Sequence, residues 1–513
     1  MEKIAIIDMG SNTIRMVIFE INQDSYHLVD DTKETVRLSE SMGPERILKP
    51  ASVKRALSTL KRFMKLCRSR QVTTIVPVTT AAVRIAENQQ DFLNTVEAET
   101  GLRFRVLSGH EEGYYGLVGV LNGFSLQDGF TLDIGGGSSE VTLFRSRKLS
   151  DSVSMPFGAL TLTESYRDPE QDGRVSIYDV RQYLRSAFLN QPWISANHGL
   201  PLIGLGGTVR NIARIHRNLI GYPIEIAHNY EMSKTQVDET INYIASLSYK
   251  ELQQLPGLSK ERADIILAGG LIIQSLMEAC KAPQLLISGN GIREGLFYEY
   301  YQQRYPQKLA ADVTMSEVEN LMHYYKVDHS HAHHVAHLSL RLFDDLSPRH
   351  KMGESERRLL HFASLLHDVG VTVSFYEWQK HTYYVLLHSK IPGLTHRERL
   401  LVALIAASKN KKKIREWSAP YQMLLKPEDE ELVLRLTIIL LMARALDRSL
   451  SMDVQDVTCK LSGKETKIIM HTVTPDIELE LKEARELLEK FDKSFGGRFE
   501  ISAKVVEKVM DKP

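Results

Sequence analysis

Apolar runs that stop at an aspartate, pass through a small-residue turn and resume set the rhythm of the first 300 residues. Lys3–Ile7 stops at Asp8, turns through Gly10, Ser11 and Asn12, and resumes as Met16–Ile21. Phe130–Leu132 stops at Asp133, turns through Gly135, Gly136 and Gly137, and resumes as Val141–Phe144. Each pattern predicts strand, tight turn, strand. The two aspartates lie 125 residues apart, a domain-scale spacing that predicts a duplication in which each half offers one loop to a shared cleft. Between them, Val53, Ala56, Leu57, Leu60, Phe63, Met64 and Cys67 form a helical stripe over Ser52–Arg70, with Ser52 as the expected N-cap. Val72–Val78 reads as a strand leading into Thr79-Thr80-Ala81-Ala82-Val83-Arg84, where a helix begins. Phe104–Leu107 reads as a short strand before a helix that carries Gly113, Gly116 and Gly119 at intervals of three, a packing signal. Phe157-Gly158-Ala159 leads into another helix, and Leu202–Thr208 and Leu285–Gly295 each run an apolar strand into a glycine turn.

The pattern changes after Pro306–Asp312, a predicted linker. Twelve of the 18 histidines fall between His323 and His396, where Val335, Leu338, Leu342, Leu346, and then Leu359, Leu360, Ala363, Leu366 keep helical period. Lys409–Arg415 is the densest basic run, readable as a solvated face or as a guide for a polyanion. Beyond Asp456, Val457–Leu461 and Lys467–Thr472 read as strands, Ile477–Phe491 as an amphipathic helix and Arg498–Ser502 as a last strand.

Length and composition narrow this further. A chain of 513 residues exceeds one ordinary core, so three or four domains are expected. The boundaries read as 1–125, 126–305, 310–452 and 453–513. Its 64 basic and 64 acidic residues cancel, so any anion binding is local and a nucleic-acid coat is not expected. Cys67, Cys280 and Cys459 form no CxxC pair, which fits a reducing compartment. No signal-like N-terminus and no apolar run of about 18 residues is seen, so a cytoplasmic protein without a membrane span is expected.

The turns suggest phosphate chemistry. Consecutive glycines let backbone N–H groups approach an anion, and a carboxylate beside such a cradle, as at Asp133, calls for Mg²⁺ between it and a phosphate. Arg15 is either a bidentate phosphate contact or an exposed strand residue, and Thr79 and Thr80 either bind an anion or cap a helix. Glu111 and Glu112 suit the first turn of their helix electrostatically, or one of them reaches the cleft and orients a water. The chain has no GxxxxGK[ST] and no GxGxxG after a strand, which excludes a standard P-loop and disfavours a dinucleotide fold.

Six ordered stretches resemble the exopolyphosphatase and guanosine pentaphosphate phosphohydrolase family. They are Asp8–Thr13, Thr79–Arg84, Ser108–Glu112, Asp133–Glu140, Gly204–Thr208 and Gly289–Gly295; Pro256–Leu258 and Arg262–Gly270 are similar as well. The resemblance covers about residues 1 to 300. It implies an α/β fold of two actin-like, ribonuclease-H-like lobes flanking a cleft, and hydrolysis of phosphoanhydrides from the end of a polyphosphate chain. It implies that Glu112 is catalytic and that Asp133 and Glu140 serve metal and water, with Mg²⁺ held near them. Phosphate binding is expected at Gly10, Ser11, Asn12, Thr13, Arg15, Thr79, Arg84, Gly135, Gly136, Gly137, Ser138, Gly206, Gly207, Thr208 and Gly291. With an ordinary carboxyl value of about 4.3, Glu112 would orient water rather than deprotonate it.

The histidine-rich region resembles an all-α HD-type metal phosphohydrolase domain, followed by a small α/β tail. The resemblance implies a metal tetrad of His331, His367, Asp368 and Asp447, with His334 and His381 as nearby alternatives and a second divalent metal as its cargo. Ala406-Ala407-Ser408-Lys409 departs from it where a histidine is common. The expected partners are inorganic polyphosphate, and (p)ppGpp as the alternative, with the protein acting as a homodimer. The rival functions are a pppGpp 5′-phosphohydrolase, a non-catalytic polyphosphate or (p)ppGpp sensor, and an actin-like or sugar-kinase ATPase.

Overall fold

The computed structural model describes residues 1–22, 25–43, 45–168, 174–305 and 312–506. The expected linker at 306–312 lies outside them except for Asp312. The chain forms two compact units, Met1–Val313 and Thr314–Pro513.

The first unit contains two sheets built on one plan. In one, β1 (Glu2–Met9), β2 (Thr13–Ile21), β3 (Tyr26–Thr35), β4 (Thr74–Thr79) and β5 (Arg105–Val106) lie in the order β3-β2-β1-β4-β5. The second holds β6 (Gly129–Ile134), β7 (Ser139–Arg145) and β8 (Lys148–Met155), while β9 (Arg167–Asp168) and β10 (Arg174–Val175) pair separately. It continues with β11 (Leu202–Leu205), β12 (Glu231–Ser233) and β13 (Gln284–Ile287), in the order β12-β13-β11-β6-β7-β8. In both, an antiparallel meander joins a central strand whose other edge pairs in parallel: β1 with β4, β6 with β11. The duplication expected from the spacing of Asp8 and Asp133 is present as repeated topology.

Central strands are mostly apolar because both faces are covered, with Asp8 and Asp133 near their carboxyl ends. Alternate residues of β1 serve different layers: Ala5, Ile7 and Met9 pack with Ala56, Leu60 and Phe63, and Ile4 and Ile6 with Phe297 and Tyr301. The helix Pro50–Ser69 starts two residues before the expected cap. Lys49 is the N-cap and Pro50 occupies N1, where its missing N–H costs nothing, while Ser52 is buried and takes a bond from Arg55 (3.0 Å).

Two helices cross between the lobes. Helix Gly109–Leu121 follows the first sheet, yet its glycines lie on the second: a Cβ at Gly113 would sit 2.7 Å from Ser152 Oγ, and one at Gly119 2.6 Å from the Gly291 carbonyl. Helix Ile292–Arg304 follows the second sheet and sends Phe297 and Tyr301 into the core of the first. The two helices meet where Gly295 touches the Tyr115 backbone, leaving no room for a methyl group. Gly295→Ala is therefore expected to destabilise the first unit by about 1–3 kcal/mol, measurable as a lower denaturant midpoint. An unchanged midpoint would mean the helices slide apart freely.

Among the described residues, the second unit is mainly helical as far as Ala445 and then forms a three-stranded sheet. There β14 (Val454–Ser462), β15 (Glu465–Thr472) and β16 (Arg498–Val505) lie in sequence order, with helix Glu478–Phe495 between the last two. The tail elements read from the sequence are all present, with ends shifted by a few residues. No helix among the described residues is long and apolar enough to cross a membrane.

Candidate active site

The two aspartate turns face one another. Asp8 is the register partner of Arg15, and Asp133 of Glu140, so each strand pair points two side chains to one face. Both turns close with the same bond: Gly10 N–H donates to Thr13 O (3.0 Å) and Gly135 N–H to Ser138 O (2.9 Å). A Cβ on Gly136 would lie 3.6 Å from the Ser11 Cβ, so the turns approach closely. The amides of Ser11, Asn12, Gly136 and Gly137 make no hydrogen bond among the described residues, and all four residues line a cavity of about 390 Å³. The carbonyls of Gly135 and Gly136 are occupied, accepting from Ala159 N–H (3.0 Å) and Leu160 N–H (3.0 Å). What these turns offer the cavity is donors, a concave anion site.

Glu111 and Glu112 have separate tasks. Glu111 caps its helix: its carboxylate accepts from Ser108 N–H (2.8 Å), while its own N–H donates to Ser108 Oγ (3.2 Å). Glu112, one residue on, is 5% exposed, lines the cavity and is paired with Arg84. Burial pushes its carboxyl well up, nearby Glu140 adds to this, and Arg84 opposes it without cancelling it. Glu140 is likewise raised, by burial first and by Asp133 second, although Ser154 Oγ donates to it (2.8 Å). Asp133 is pushed up to about 6 by burial, against the pull of Arg210. Asp8 is raised by burial against Arg293 and Arg15. Glu112 is therefore a stronger base than its ordinary value allows.

Most residues singled out in the sequence converge here: Gly10, Ser11, Asn12, Thr13, Arg15, Glu112, Asp133, Gly135, Gly136, Gly137, Ser138, Glu140, Gly206, Gly207 and Gly291 all line the cavity. Three do not. Thr79 is fully buried and donates to the Met9 carbonyl (2.8 Å), tying β4 to β1; Thr80 lines the cavity in its place. Arg84 is spent on Glu112 and on the Leu107 carbonyl (2.7 Å). Thr208 is buried and accepts from Arg262 (3.2 Å).

Five arginines not singled out as ligands line the cavity: Arg37, Arg167, Arg210, Arg262 and Arg293. Arg210 lies one turn into helix Gly206–Leu219 and donates to the carbonyls of Ser288 (3.1 Å) and Gly289 (3.2 Å). Arg293 stands in the first turn of its helix, 3.3 Å from Asp31. Gly206 holds φ +80° with Asp133 Oδ1 2.6 Å from its would-be Cβ, so only glycine serves there.

In the second unit, His331, His367 and Asp368 present ligand atoms within 4.8 Å of one another. Asp447 stands behind them. It accepts from His331 Nδ1 (2.7 Å) and from Met452 N–H (2.9 Å), the place of a carboxylate that orients a histidine rather than of a fourth ligand. Asp368 also faces Arg444 (3.4 Å), a cation competing for the same oxygens. His334 is bonded to the Val454 carbonyl (2.9 Å), and neither it nor His381 joins the group. In the basic run, Lys411 and Arg415 pair with Glu430 (2.9 and 2.6 Å) and Lys413 with Glu416 (2.9 Å), which removes much of its free charge.

A duplicated α/β pair of lobes, with unbonded turn amides and carboxylates facing one cleft, is a fold of actin-like type. The Ppx/GppA phosphatase family model matches residues 17–304, and the model of that family's domain III matches 313–490. The chain belongs to the Ppx/GppA phosphatase family. The crystal structure of the Aquifex aeolicus family member is similar with 24% identity and a TM-score of 0.52, over 59% of this chain and 99% of that one. An exopolyphosphatase from Cytophaga hutchinsonii shows 22% identity and a TM-score of 0.55, over 59% and 98%. At these identities the likeness establishes the shared fold.

Proposed function

We propose that the protein is an exopolyphosphatase, releasing terminal phosphate from inorganic polyphosphate by attack of water. The observation that carries this is the seating of buried Glu112 in a cavity walled by two turns whose Ser11, Asn12, Gly136 and Gly137 amides make no hydrogen bond among the described residues. Phosphoryl transfer to water needs positioning and charge neutralisation more than covalent help. The turn amides with Arg15, Arg210, Arg262 and Arg293 hold the terminal phosphates. Glu112 orients the water and, with its raised carboxyl, accepts its proton.

The carboxylates fit Mg²⁺. Asp8, Glu112, Asp133 and Glu140 are all raised, by burial first, and for Glu112 and Glu140 a neighbouring carboxylate adds to it. Mg²⁺ keeps waters and takes one or two carboxylates plus substrate phosphate, and Asp133 and Glu140 are register partners on one face of a hairpin. Asp133 and Glu140 would hold it, and bound there it would neutralise charge on the phosphates.

A pppGpp 5′-phosphohydrolase would use the same turns, and Glu164 and Asp264 on the cavity wall speak for it because they oppose a long polyanion. Phosphate release from long polyphosphate, pppGpp and ATP by one purified sample decides between them. Polyphosphate is expected to give the highest kcat/KM. Preference for pppGpp overturns the choice, and release from none favours a sensor.

A further inference from the structure

Four side chains at the start of the second unit form a group that the hydrolytic cleft does not use. Glu319 and His323 are four residues apart on helix Val313–Tyr324, and His329 and His333 four apart on helix His329–Asp345, so each pair shares one face. The connection between the helices is tight. Tyr325 N–H donates to Leu321 O (2.9 Å), Val327 N–H to Met322 O (2.9 Å), and Asp328 caps the second helix by accepting from His331 N–H (3.1 Å). The two pairs are thereby brought together. Ligand atoms of Glu319, His323 and His329 all lie within 4.8 Å of one another. Glu319 is 3.2 Å from His333 Nε2 and 3.6 Å from His329 Nδ1, and the His323 and His329 rings stand 4.0 Å apart. His329 Nε2 is buried without a hydrogen-bond partner among the described residues.

We propose that this group is a transition-metal site of the Zn²⁺ class, clasping the two helices. One ligand atom each from Glu319, His323 and His329 converges on one point, and a shared cation there would bind all three. The nitrogen-rich donor set selects Zn²⁺ or Co²⁺ over Mg²⁺ and Ca²⁺, which take oxygen ligands. Glu319, His323 and His329 supply three converging ligands, and His333, 3.2 Å from Glu319, stands beside the fourth position of a tetrahedral site. It is separate from the group of buried His331 and His367 with half-buried Asp368. His331 is 8% exposed and faces the interior, whereas the His333 side chain on the same helix is half exposed.

The test uses the untagged full-length chain, stripped with chelator and titrated with Co²⁺ and then Zn²⁺. The expected result is a visible tetrahedral-type Co²⁺ band that one equivalent of Zn²⁺ bleaches, with a rise in Tm on Zn²⁺ addition. His329→Ala/His333→Ala is expected to lose the band and to weaken Zn²⁺ binding at least tenfold, with its far-UV circular dichroism unchanged. Glu319→Gln should weaken binding with less disturbance still, and His367→Ala should keep the band. No band in the parent chain, a band that survives the double substitution, or one that depends on His367 instead, each overturns the proposal.

Discussion

Glu112→Gln is expected to lower phosphate release by about 10²–10⁴-fold while leaving the fold intact. The physical case rests on what surrounds the side chain. Glu112 is buried beside Glu140 and held by Arg84, and its carboxyl is raised because burial and Glu140 together outweigh that arginine. A neutral amide of the same shape relieves the burial cost of a charge and the repulsion from Glu140. Arg84 keeps its bond to the Leu107 carbonyl and its partial contact with water. Unfolding midpoints should therefore hold or rise. Water, however, loses the group that orients it and takes its proton. The parent enzyme should gain activity as pH rises through the raised carboxyl range, because only the ionised form serves; the residual activity of the variant should lack that dependence. Near-normal turnover in Glu112→Gln would remove the glutamate from the mechanism.

Asp133→Asn is expected to move stability and activity in opposite directions. Asp133 is raised from 3.8 to about 6, chiefly by burial. As pH rises across that window the unfolded chain gives up this proton before the folded one does. The unfolded state then binds fewer protons, and stability falls with pH, fully present near pH 4 and lost above about 6. Asparagine has no such titration. Since Asp133 is only partly buried in the cleft, water screens part of the effect. The ligand-free variant should gain on the order of 1–2 kcal/mol at pH 7 and little at pH 4. Turnover should drop about 10²–10³-fold, and half-maximal activity should need more Mg²⁺. A variant less stable than the parent at pH 7, with an unchanged Mg²⁺ requirement, would refute both halves of the argument.

Much of this architecture is legible in the chain itself, because local rules and tertiary demands agree there. Asp8 and Asp133 end apolar strands and precede small-residue turns, and the same turn bond forms at both. Glu111 and Glu112 carry a capping signal and a functional one in adjacent positions, and sequence alone does not say which residue has which; helix phase settles it by turning Glu112 inward. Hydroxyls misled in two places. Thr79 and Thr208 look like phosphate ligands at strand ends, yet the Thr79 hydroxyl is consumed by a backbone carbonyl and the Thr208 hydroxyl accepts from Arg262. Arg210, Arg262 and Arg293 escaped notice as ligands because an arginine on a helix has no local mark of burial. The available signal was position: Arg210 and Arg293 each follow a strand-to-glycine turn within the first turn or so of the next helix. Ser52 shows the reverse case, a good capping residue overruled by a proline two positions earlier.

The repeated hairpins differ in one place that matters for how a substrate lies. Opposite Asp8 stands Arg15; opposite Asp133, at the equivalent position, stands Glu140. Two identical halves would make a cleft with no front or back, able to take a linear ligand in either sense. Exchanging one cation for one anion gives the cleft a polarity. For the proposed substrate, the trailing phosphates favour the Arg15 wall, and the reacting end lies toward Glu140 and Glu112. On that proposal, directionality along the polymer would draw on this broken symmetry between two copies of the same hairpin.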